Sequence, residues 1–78
     1  MKAKVITKDE SLLLGLRLGG IDGNLIKDNK EILKTFNDYS KDKENALIIF
    51  SKSSYEIVKN EVEEFRKNNT RPLVVVID

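Results

Sequence analysis

Two runs of this chain, Ala46-Leu47-Ile48-Ile49-Phe50 and Leu73-Val74-Val75-Val76-Ile77, are apolar at every position. A strand with one wet face alternates apolar and polar residues. A run without alternation suits a strand covered on both faces, as in a parallel sheet packed between helices. Parallel neighbours need long crossovers, usually helical, and the intervening sequence supplies them. Thr7-Lys8-Asp9-Glu10, Asp28-Asn29-Lys30-Glu31 and Ser53-Ser54-Tyr55-Glu56 each have the form of a capping box, a short oxygen-bearing side chain followed three residues later by glutamate. The first predicts a helix starting at Lys8. The second opens a stripe of Ile32, Leu33, Phe36 and Tyr39, and the third a stripe of Tyr55, Val58, Val62 and Phe65. Lys59/Glu63 and Glu63/Lys67 are i,i+4 charge pairs on the solvent side of that last helix.

The remaining strands are weaker. Lys2–Thr7 carries Val5 and Ile6, and Ile21–Ile26 is interrupted by Asp22, Gly23 and Asn24, which suits a short edge strand. Pro72 opens the last strand, a position where proline is tolerated. The order βαβαβαβ with right-handed crossovers predicts an α/β receiver-like open sandwich. Its four-stranded parallel sheet has the strand order 2-1-3-4 and helices on both faces. Val5, Ile6, Leu47, Ile48, Ile49, Val74, Val75 and Val76 are its expected buried strand residues. Residues 1–78 read as a single domain, without repeats, linkers or low-complexity tracts.

All four glycines fall between Gly15 and Gly23. The cluster predicts that the first helix stops at Gly19 or Gly20 and the chain turns back to the sheet. Within that helix Leu12, Leu13 and Leu16 share roughly a third of the circumference at 100° per residue, while Leu14 and Leu18 lie elsewhere. Either this second apolar face is wedged against a neighbouring element, or Leu14 and Leu18 belong to a partner surface. Arg17, set between leucines, has two readings as well: it complements the helix C-terminus, its stem lying over the leucines, or it anchors an interface.

Chemistry is constrained mainly by what is missing. With no histidine and no cysteine in 78 residues, neither Cys/His nor Ser/His/Asp catalysis can be assembled, nor a zinc site built on those ligands. No cofactor is expected. There is no phosphate loop of the G-x-x-x-x-G-K-[ST] type, and the turn after the first strand has no glycine. A net charge of +1 gives no field that would favour nucleic acid. No run is long enough to span a bilayer, so no membrane insertion is expected. Asp9 and Glu10 stand at a strand's carboxyl end, where paired acids can hold Mg²⁺, although charge complementation of a helix N-terminus accounts for them more simply. A receiver-like signalling or Mg²⁺-binding domain is the alternative reading. Against it, Phe50-Ser51-Lys52 stands where a phosphate-accepting receiver has an aspartate.

The segment Gly15-Leu16-Arg17-Leu18-Gly19-Gly20-Ile21, after strand Lys4-Val5-Ile6 and Asp9, resembles the G-F-R-L-A-G-[IF] stretch of the F subunit of the V-type and archaeal A-type ATPases. Asp28–Tyr39, Ala46–Ser51, Tyr55–Phe65 and Arg71–Ile77 are similar to the rest of the N-terminal domain in that family. The departures are Leu16 for an aromatic residue and Gly19 for alanine. The resemblance implies a non-catalytic part of a rotary motor, located in the cytoplasm on the periphery of the membrane-bound assembly. Its expected partners are the coiled-coil D subunit of the rotor and, around the shaft, the catalytic A/B hexamer that handles nucleotide. The family continues past the last strand into a mobile helix linked to regulation of hydrolysis. Ending at Asp78, residues 1–78 are expected to lack it and to bind the shaft without regulating it. The candidate partner-contact residues, taken from the two-faced first helix, are Leu14, Arg17 and Leu18.

Overall fold

A computed structural model describes residues 2–77. Strand β1 (Lys2–Thr7) leads to α1 (Glu10–Leu18), β2 (Asp22–Leu25), α2 (Lys30–Lys41), β3 (Asn45–Ser51), α3 (Lys52–Asn68) and β4 (Leu73–Ile77). The four strands form one parallel sheet in the order β2-β1-β3-β4. The expected α/β architecture and strand order are therefore both present, with β1 and β3 central. Val5 stands beside Gly23 on one side and Ile49 on the other, and Ile49 beside Val75.

The first crossover runs from β1 to one edge, whereas the next two run the other way. Right-handed connections therefore place α1 on one face and both α2 and α3 on the opposite face. The core divides accordingly. Ile6, Ile48 and Phe50 meet Ile32 and Phe36 of α2 and Val58 and Val62 of α3. Phe36 is the hub, with ring centroids 5.7 Å from Phe50 and 5.2 Å from Phe65, the latter edge-on. On the α1 face a smaller cluster joins Val5 and Ile49 to Leu13.

Three expectations need correction. Val75 and Val76 are exposed, at 43% and 38%, and Leu47 and Val74 are half-buried. Strand β4 is an edge, and a single helix does not span the face that carries Val75. The helix starts also differ. Helix α1 begins at Glu10, capped by Asp9, whose carboxylate accepts from the backbone N–H of Ser11 and Leu12. Thr7, still in β1, uses its hydroxyl oxygen to accept the Asp9 N–H. Helix α3 begins at Lys52, before the predicted cap, because the chain turns directly out of β3 at Ser51. The Ser51 hydroxyl donates to the Ser54 hydroxyl across that first turn at 2.9 Å. On the solvent side of α3, Glu63 pairs with Arg66 and Glu64 with Lys67, in place of the predicted i,i+4 pairs. Glu63 also accepts from the Tyr55 hydroxyl.

Candidate interaction surface

Helix α1 is anchored by one deeply buried side chain, Leu13, 3% exposed against Val5 and Ile49. Leu16 packs half-buried against the same cluster, and Leu12 is half-buried. Leu14 and Leu18 are 52% and 92% exposed. Sequence periodicity leaves this second face open between internal wedging and exposure. The structure turns it outward, because among the described residues no other helix packs on its face of the sheet.

Arg17 leans across the end of α1 onto β2. Its Nε donates to Asp22 Oδ1 at 2.9 Å, and its Nη2 reaches the Gly23 carbonyl at 3.4 Å. The same Asp22 oxygen accepts the Gly23 backbone N–H at 2.8 Å. Asp22 is thereby held below the ordinary carboxylate range, first by the Gly23 N–H and then by Arg17. The guanidinium is fixed beside the exposed leucines, and the stretch reads Leu14, Arg17, Leu18 along one side of the helix. Sequence reasoning missed the Asp22 partner, five residues along. The helix end at Leu18 and the turn through Gly20, with φ of 90°, fold β2 back to bring it there.

The carboxyl ends of β1 and β3, where an open α/β sheet offers its ligand crevice, hold Asp9, Ser51, Lys52, Ser53 and Glu56 around a shallow concavity of about 430 Å³. Asp9 is committed to capping α1, and Ser51 to Ser54. Among the described residues no group of three or more acidic, histidine or cysteine side chains converges on a point where a metal ion would sit. Nor is any helix of the described residues long and apolar enough to cross a membrane.

The fold matches a solved structure, the F subunit of the V-type ATP synthase from Archaeoglobus fulgidus. The TM-score is 0.77, with 21% sequence identity, over 99% of this chain and 96% of that one. No curated protein matches the sequence. The family described as ATP synthase (F/14-kDa) subunit matches residues 4–78, nearly the whole length. This chain belongs to that family of ATP synthase F subunits.

Proposed function

We propose that this chain is a non-catalytic central-stalk component of a rotary V-type or A-type ATPase. In this reading it attaches to the coiled-coil D subunit within the A/B hexamer and helps couple nucleotide turnover to ion transport. It sits on the cytoplasmic periphery of the motor. Membership of the F-subunit family supports the assignment to the assembly. The observation that carries the attachment role is the split character of α1, with Leu13 buried on one side and Leu18 92% exposed on the other. Leu14 and Leu18 supply apolar contact, while Arg17, already held by Asp22, supplies an oriented charge at the rim.

The test is co-expression with the D subunit of the same motor, with affinity measured by calorimetry alongside thermal melting. A one-to-one complex is expected. Leu18→Asp should weaken it by at least an order of magnitude, because an unpaired carboxylate would enter a desolvated contact. The melting temperature should stay within a degree or two of the parent. A large fall in melting temperature, or binding indifferent to the substitution, would reject the interface.

A further inference from the structure

The two edges of the sheet are finished differently. At β2 the chain covers its own edge. The Gly23 N–H donates to Asp22 Oδ1 at 2.8 Å, and the Gly23 carbonyl accepts from Arg17 Nη2 at 3.4 Å. Asn24 Oδ1 accepts from the Tyr39 hydroxyl at 2.7 Å. The strand is four residues long and carries Asp22. Short length, charge and backbone groups already bonded to side chains all keep an edge from pairing with another chain.

Strand β4 lacks these guards. It runs five residues, Leu73-Val74-Val75-Val76-Ile77, without a charge and in unbroken register with β3. Pro72 precedes the strand and does not interrupt it. Among the described residues no side chain bonds to a backbone group of β4. On the side away from β3, N–H and C=O groups therefore alternate at the spacing of a strand ladder, which another extended backbone matches. The side chains along this edge are open as well, with Leu73, Val75 and Val76 at 63%, 43% and 38% exposure. Leu73, Val75 and Ile77 lie on the α1 face, and Val74 and Val76 on the opposite one.

We infer that β4 is a self-pairing edge, to which a second copy of this chain adds its own β4, antiparallel, about a two-fold axis through Val75. Symmetry and charge select this occupant. A two-fold sets the axis residue against its own copy and repeats every other opposed pair, so a charge at the centre would meet itself and repel. Strand β4 has none to repel. With Val75 opposite Val75, Leu73 stands opposite Ile77 and Val74 opposite Val76, and every opposed pair on both faces is aliphatic. Sheets that are otherwise parallel commonly take an antiparallel strand at an edge. The two sheets join into one, bounded at each end by a covered β2, so growth stops at two copies. A contact about 17 Å long falls short of the about 1,200–2,000 Å² of a stable interface, and the dimer is reversible. The inference does not depend on the proposed attachment through α1.

Sedimentation equilibrium of the full chain tests it. The parent should form a dimer and nothing larger, dissociating in the range of about 0.01–1 mM, as so small a contact implies. Val75→Lys and Val75→Glu should each weaken self-association at least tenfold, because like charges then face each other across the axis. Mixed in equal amounts, the two variants should associate with each other at least tenfold more tightly than either does with itself. Leu73→Asp, at the most exposed position of the strand, should weaken the dimer at least tenfold with an unchanged circular dichroism spectrum. Leu18→Asp, on α1, should dimerise like the parent. A chain that stays monomeric at about 1 mM leaves the edge to an extended segment of another protein and overturns the inference. So does a dimer indifferent to Leu73→Asp, a mixture of folded Val75 variants no tighter than its parts, or growth into larger assemblies.

Discussion

Gly23 is the residue with least freedom to change. It stands in β2 beside Val5, and a Cβ built there would come within 2.7 Å of the Val5 nitrogen and closer still to its carbonyl oxygen. These are backbone atoms of a central strand and cannot give way. Gly23→Ala should therefore cost about 1–3 kcal/mol or more, read as a lower midpoint in urea denaturation. In the sequence Gly23 looks merely like an interruption of a weak strand, since nothing local reveals which backbone it approaches. The neighbouring Asp22 makes a second test. Its folded-state pKa is lowered from 3.8 by the Gly23 N–H and, after it, by Arg17. A lowered carboxylate contributes stability that is present above the unfolded value and is lost as pH falls through the folded one. Carbon-detected NMR titration should place Asp22 below the ordinary range. Arg17→Met should raise it only part of the way back, because the larger cause remains.

At the scale of elements, hydrophobic patterning carries most of the information. All seven elements are legible in the sequence, as is the stop of α1 before the glycine pair, because a continuous apolar strand and a periodic helix differ over many residues at once. Helix starts are less legible because several oxygen-bearing side chains compete within one turn. Thr7 is fully buried in β1 and already accepts the Asp9 N–H, so Asp9 becomes the cap. Ser53 lies inside α3 because Ser51 ends β3 and the helix begins at once. The two sides of α1 are legible as a pattern but not as an assignment to core or solvent. Their energetic contrast is testable. Leu13→Ala removes the main anchor of α1 and should cost about 2–5 kcal/mol. Leu18→Ala should change the denaturation midpoint negligibly, since a 92% exposed side chain has little burial to lose.

At the scale of the molecule, the sheet is covered unequally, and this too is implicit in the sequence. Given the order β2-β1-β3-β4 and right-handed crossovers, α1 stands alone on its face among the helices of the described residues. The apolar run of β4 nevertheless suggests burial on both sides, because an apolar strand reads the same whether its cover comes from the same chain or from another. Val75 is exposed on the face that carries α1 alone among the described residues, and Val76, beside Phe50 on the opposite face, is exposed at the open edge of the sheet. The same asymmetry predicts a gradient in local stability. Strands β1 and β3 have hydrogen-bonded neighbours on both sides and deeply buried residues such as Val5, Ile6, Ile48 and Phe50. Strand β4 has a neighbour on one side only, so alternate amides point to an open edge, and its α1-side face is half bare. Native-state hydrogen exchange of the isolated chain should find the slowest amides in β1 and β3, opening only with global unfolding. Amides of β4 should exchange through a smaller, local opening. Equal protection of β3 and β4 in the free chain would show that the open edge and thin cover of β4 carry no local energetic cost.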